Sequence, residues 1–299
     1  MIKNNLIQTN VNNSFSIKNV SPDSKINVAL IDLYNNEENL GIGAIEELLT
    51  DFNGKINGQS LSYQTFETRY KAEIPDLSFD IFISSGGPGN PFDGEGTVWE
   101  KKYFNLLEKI WNNNQKSEKK KYVFFICHSF QLMSRFFNLA DVTKRNSRSF
   151  GIFPVHKTEA GMSDPILKDL PDPFFAADFR WWQITQPNKK VFTELGAEIL
   201  ALEKIRPHVN YERAIMAIRI SPEIFATQFH PEAHPEGMRY HYRKEKIKQK
   251  VIEDHGEKKY EDILEKLEDP EKVELTQQTV LPTFLKLAIE THENLRGLQ

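Results

Sequence analysis

Apolar and polar positions alternate along this chain in two textures. Residues 26–33 read Ile-Asn-Val-Ala-Leu-Ile-Asp-Leu, a near-continuous apolar run of strand length, as expected for a parallel strand covered on both faces. After a polar loop, Ile42, Ile45, Leu48, Leu49 and Phe52 recur on one helical stripe, which completes a βα unit. Residues 61–68 and 79–84 are two further strand candidates, the second running into the turn Ser85-Gly-Gly-Pro-Gly-Asn-Pro91. Trp99, Phe104, Leu107 and Trp111 mark a helix. The aromatic and β-branched run 122–127 then reads as a buried strand, and residues 129–138 take up helical spacing with no loop between. Alternating β and α segments with glycine-rich turns predict an α/β fold with a doubly wound, mainly parallel sheet flanked by helices. In such a sheet, ligands sit at the carboxyl ends of the strands.

The texture changes beyond Asp141. Short β segments at 151–158, 174–185, 196–203, 214–220 and 224–229 are punctuated by proline, which predicts an added antiparallel region of hairpins and edge strands. Residues 237–272 are charged with mixed sign and predict one or two solvated helices forming an insertion or cap. A closing helix over 280–295 presents Leu281, Phe284, Leu285 and Leu287 for packing. Residues 1–25, rich in Asn and Ser, read as a polar extension. The expected organisation is therefore the extension 1–25, a main domain 26–236, and a charged helical C-terminal segment 237–299. No internal repeat points to a solenoid.

Charge and composition narrow the class. The 299 residues carry 38 basic and 42 acidic side chains, a net charge of -4, so no global field favours nucleic acid or an anionic membrane. No window is apolar for long enough to span a bilayer. The N-terminus lacks the apolar core of a secretory signal. The single cysteine cannot form an internal disulfide, which suits a reducing compartment. A cytoplasmic protein is expected.

That cysteine, Cys127, stands where the strand turns into the helix. It could be a small buried hydrophobe. It could also be a nucleophile, because backbone amides at a helix N-terminus favour a thiolate. A thiolate nucleophile needs a base, the base needs an orienting group, and acyl transfer needs amide donors for the developing oxyanion. Ala226-Thr-Gln-Phe-His230-Pro-Glu232-Ala-His234-Pro-Glu236 follows an apolar strand. Pro231 keeps His230 extended, so His230 and Glu232 can point the same way. The alternation of His and Glu invites a metal reading, yet Pro231 and Pro235 oppose a helical i, i+4 ligand pair and no cysteine lies nearby, so no metal is expected. The His128 amide follows the nucleophile, and the turn after the third strand can present Gly87 bare of a side chain. No Gly-Lys-Ser/Thr completes a P-loop there.

Together, Ser85-Gly-Gly-Pro-Gly-Asn-Pro91, Cys127-x-x-x-Gln131 at an elbow, and Ala226-Thr-Gln-Phe-His230-Pro-Glu232 resemble a class I glutamine amidotransferase domain, similar to the glutaminase part of GMP synthase. The resemblance covers roughly residues 26–236. It implies Cys127, His230 and Glu232 as a catalytic triad, with Gly87 and His128 forming the oxyanion hole. It further implies that Gly89, Gln131 and the backbone at Phe150 and Gly151 hold the amino-acid end of glutamine. No cofactor is implied. The implied ligand is glutamine or a related small-molecule amide. A separate ammonia-accepting synthase subunit is an implied partner, because no Ser-Gly-Gly-x-Asp-Ser motif for ATP chemistry follows. Two positions depart from the family pattern: Phe125 and Ser129 stand where glycines flank the nucleophile, and Phe125 must find room below the sheet. Arg180-Trp181-Trp182 reads as a hairpin patch rather than a substrate lip. Two alternatives stay open: action on another γ-glutamyl or acyl substrate, and a non-catalytic binding or regulatory module on the same fold.

Overall fold

The computed structural model describes residues 26–55, 60–208 and 211–297. The expected polar extension 1–25 lies outside the described residues. Nine strands form one sheet among them: β1 (Ile26–Asp32), β2 (Leu61–Glu67), β3 (Ile81–Ser84), β4 (Tyr122–Ile126), β5 (Ala140–Lys157), β6 (Phe174–Pro187), β7 (Glu198–Glu203), β8 (Ile215–Ser221) and β9 (Ile224–Thr227). Their order is β2-β1-β3-β4-β9-β8-β7-β5-β6. Pairings from β2 to β9 are parallel, and those from β9 to β6 are antiparallel. The expected α/β fold, a parallel sheet with an added antiparallel region, is what the chain adopts.

Both faces of the parallel half are covered, which explains its unbroken apolar strands. On one face Val28 and Leu30 of β1, with Phe124 of β4, pack with α1 (Gly41–Asn53) and α10 (Leu275–Gly297). The Phe124 and Phe284 rings meet edge to face, centroids 5.1 Å apart. On the other face Ala29 and Ile31 of β1, with Val123 and Phe125 of β4, join residues of α3 (Val98–Lys116) and α4 (His128–Phe137). Side chains that alternate along a strand thus enter two different cores. Three short helices, α2 (Thr68–Lys71), α5 (Glu159–Ser163) and α6 (Lys189–Leu195), fill the connections.

Two elements differ from expectation. β5 begins at Ala140 rather than near Gly151, because the polar stretch Asp141-Val-Thr-Lys-Arg-Asn-Ser-Arg-Ser149 pairs with β6 as a mostly exposed ribbon, broken by a register shift between Lys144 and Ser149. No apolar alternation announces a strand whose side chains mostly face water. The charged segment forms three helices rather than one or two solvated ones: α7 (Pro235–Arg243), α8 (Glu245–His255) and α9 (Glu257–Glu268). Met238, Tyr242, Val251, Tyr260, Ile263 and Leu267 bury with Ile152, Ala177 and Ala233 in a third core. Their spacing of three or four residues supplies an apolar stripe amid the charge.

Candidate active site

Cys127 is the only residue between β4 and α4, with φ 50° and ψ -97°. This is strained backbone for a non-glycine residue, of the kind found at strand-to-helix nucleophile elbows, and costs about 1–3 kcal/mol. Hydrogen bonds on both sides hold it. The Cys127 N–H donates to Thr227 O of the neighbouring β9 at 2.8 Å, and Cys127 O accepts from the Gln131 N–H at 3.1 Å. Ser129 adds a stitch that glycine lacks: its Oγ accepts the Ile126 N–H at 2.8 Å and lies 2.7 Å from Ser84 O, to which it donates. Phe125 finds room on the α3–α4 face, 1% exposed within that core. Both departures from glycine therefore fit the elbow.

The β4–β9 pairing brings the second motif to the same sheet end, since Ile126 stands opposite Thr227. Past β9 the chain is pinned by the His230 N–H, which donates to Ala177 O of β6 at 3.0 Å. His230 Nδ1 lies 2.7 Å from Glu232 Oε1, and the imidazole shares the cavity wall with Cys127, both approaching Gly86. Burial pushes the imidazole toward neutrality, but the negative charge of Glu232, with Cys127, outweighs it and raises the His230 pKa well above its ordinary value. Glu232 is buried, and its Oε2 has no hydrogen-bond partner among the described residues. Gln228 Nε2 points at the Cys127 sulfur from 3.6 Å.

Gly87 sits in the turn after β3. A Cβ there would lie 2.5 Å from Leu33 O, so only glycine fits. His128 is buried, and its pKa falls to about 3, first through burial and then through Arg69 and Arg135; its ring is neutral next to Cys127. Gly89 has φ +87°, and Arg69 Nη1 donates to the neighbouring Pro88 O at 2.5 Å. The Gln131 amide is engaged by Gln228 Oε1 at 3.1 Å and Trp182 O at 3.3 Å, which places it behind Gln228. Gly151 has φ +131° and faces Lys259 of α9.

A cavity of about 690 Å³ opens over this cluster. Cys127, Gly87, His230, Glu232 and Phe150 line it; His128, Gly89, Gln131 and Gly151 do not. Sequence reasoning missed Tyr34, Arg148, Phe179, His241 and Tyr242, which also line it. Tyr34 carried one signal, its position just past the carboxyl end of β1, where ligands of such sheets sit. His234 caps α7, its Nδ1 accepting the Gly237 N–H at 3.3 Å. Arg180 is buried against Asp178, while Trp182 packs on Phe92 with centroids 5.6 Å apart; this segment is part of the β6 ribbon.

The fold and this cluster define an elbow-bearing α/β domain of the amidotransferase kind. The model of the family "Glutamine amidotransferase class-I" matches residues 54–250, and the chain belongs to that family. No curated protein matches the chain. Among solved structures, a glutamine amidotransferase from Thermotoga maritima aligns with TM-score 0.65 and 17% identity over 89% of this chain and 98% of its own. A glutamine amidotransferase from Methylobacillus flagellatus gives 0.54 and 14% over 92% and 96%. A protein from Thermoplasma acidophilum, assigned to GMP synthase as one of its subunits, gives 0.51 and 14% over 92% and 97%. At these identities the likeness shows the fold. Among the described residues no helix is long and apolar enough to cross a membrane.

Proposed function

We propose that the chain hydrolyses the side-chain amide of glutamine and releases ammonia. The observation that carries this is the arrangement at the elbow: Cys127 in a strained pose, His230 beside it across Gly86, and Glu232 held to His230 at 2.7 Å. With Nδ1 held by Glu232, Nε2 is the nitrogen left for the thiol. His230 takes the thiol proton, and the Cys127 sulfur attacks the amide carbon. The oxyanion is received by the amides of Gly87 and His128. His230 protonates the departing nitrogen, the C–N bond breaks, and ammonia leaves a γ-glutamyl thioester. Water, deprotonated by His230, then releases glutamate and restores the thiol. In this reading the amino-acid end of glutamine is held on the side of Phe150, which lines the cavity, and Gln131 reaches the site through Gln228, while Gly89 and Gly151 lie off the cavity wall.

The ammonia acceptor in this reading is a separate synthase subunit, and one structural neighbour, from Thermoplasma acidophilum, is itself assigned as a synthase subunit. A lone free thiol fits a cytoplasmic setting. A second reading has one observation in its favour: the cavity falls in the size range that buries drug-sized ligands, which suits a γ-glutamyl amide bulkier than glutamine. The test is release of glutamate and ammonia from glutamine, alone and with candidate synthases, against a panel of γ-glutamyl amides. Wild-type turnover abolished in Cys127→Ser supports the proposal. Turnover that survives in Cys127→Ser contradicts it, and turnover of bulkier amides alone favours the second reading.

A further inference from the structure

Two glycines of different elements keep one slot open. A Cβ on Gly41, at the start of α1, would overlap the Tyr34 hydroxyl. A Cβ on Gly86, in the turn after β3, would lie 3.0 Å from Tyr34 Oη, 2.9 Å from His230 Cε1 and 3.6 Å from Cys127 Cβ. Gly86 is therefore the point where the phenol, the imidazole and the cysteine converge. The backbone holds Tyr34 there: its N–H donates to Asp32 Oδ1 at 2.7 Å, and its carbonyl accepts the Glu37 N–H at 3.0 Å. Asn35 and Asn36 turn the chain with φ 55° and 60°, a left-handed conformation asparagine tolerates better than most residues. Tyr34 lies outside residues 54–250, the stretch matched by the family.

We infer that Tyr34 is a further catalytic residue, its hydroxyl orienting the leaving nitrogen and then the attacking water between Cys127 and His230. The inference rests on the proposed thiol chemistry. A Cβ at Gly87 would meet Leu33 O and His128 Cδ2, whereas one at Gly86 would meet Tyr34 Oη and His230 Cε1, so the phenol is grouped with the imidazole that handles the leaving nitrogen. A tetrahedral nitrogen must aim its lone pair at the protonated imidazole before the C–N bond breaks. Tyr34 Oη accepts one N–H of that nitrogen, leaving the lone pair facing His230. In the second half-reaction it accepts one O–H of the water whose other proton passes to His230. No bond to Tyr34 forms or breaks, and its own proton stays in place. Burial first, then the charges of Glu232 and Cys127, raise the phenol pKa well above its ordinary value, so the hydroxyl stays neutral through the working range.

The test is Tyr34→Phe in the full chain, which keeps the ring in its slot. Three rates are compared with wild type: alkylation of Cys127 by a glutamine-mimicking chloroketone, ammonia release from glutamine, and p-nitroaniline release from γ-glutamyl-p-nitroanilide. Alkylation expels chloride, not nitrogen, and should change by less than about twofold. Amide turnover should fall about tenfold or more in kcat with little change in KM. Wild-type amide turnover in the variant overturns the inference. Alkylation that falls in step with turnover also overturns it, because the hydroxyl then only shapes the thiol site. A wild-type chain that is alkylated yet cleaves neither amide has no leaving nitrogen to orient; that result overturns the inference and leaves the thiol chemistry standing. A wild-type chain that is not alkylated sinks both.

Discussion

His230 is pulled two ways. Burial disfavours its charge, whereas Glu232 at 2.7 Å, with Cys127, favours it, and the favourable side prevails. The sign follows directly. A histidine whose folded pKa lies above its unfolded value contributes stability that is fully present below the unfolded value of 6.5 and is lost as pH rises through the folded one. The same proton is the one the proposed mechanism hands to the leaving nitrogen, so the alkaline limb of kcat/KM reports it. Glu232→Gln removes the charge that raises it and leaves a side chain of the same shape. The alkaline limb should therefore move toward lower pH, measured as a pH–rate profile on glutamine. An unmoved limb would mean that another group sets it. His230 and Glu232 were legible in the sequence because Pro231 fixes the extended backbone between them. Gln228 was not, and Tyr34 only through its place past the end of β1, since a glutamine beside a buried strand and a tyrosine in a polar loop carry no residue pattern of their own.

At the scale of the element, the elbow is held by its neighbours as much as by α4 itself. Ser129 replaces the expected glycine and bonds Ile126 N–H and Ser84 O, tying α4 to β4 and β3. Ser129→Ala should leave the Ile126 N–H buried and unpaired, at a cost of about 1–3 kcal/mol. Thermal unfolding should then shift downward by about 2–4 °C for each kcal/mol lost. Ser129→Gly, although nearer the family pattern, should also destabilise. An unchanged midpoint in both would show that the hydroxyl is not needed. The parallel strands were legible because burial on both faces gives continuous apolar runs. The first half of β5 was not, because pairing with β6 makes it a strand while its side chains remain mostly in water. The cap helices were half legible: their charge was plain, but the stripe Tyr260, Ile263, Leu267 was masked by the lysines and glutamates between.

For the molecule as a whole, sheet order does what no single motif can. Cys127 and His230 are 103 positions apart in number, and they meet because β9 returns to pair with β4, with the antiparallel strands β8, β7, β5 and β6 beyond it. Both motifs lie at strand ends, which the sequence shows; that these two strands are neighbours has no local signal and had to come from the fold. The α7–α9 cap then joins β5 and β6 through the third core, and α7 supplies Met238, His241 and Tyr242 to the cavity wall. A thiol, an imidazole and a carboxylate thereby line one cavity. The most direct measurement of this account is mass spectrometry of the full chain after treatment with a glutamine-mimicking electrophile, with His230→Ala alongside. The account predicts a single adduct on Cys127 in the wild type, formed much more slowly in His230→Ala. An unmodified Cys127, under conditions where an active amidotransferase reacts, would contradict it.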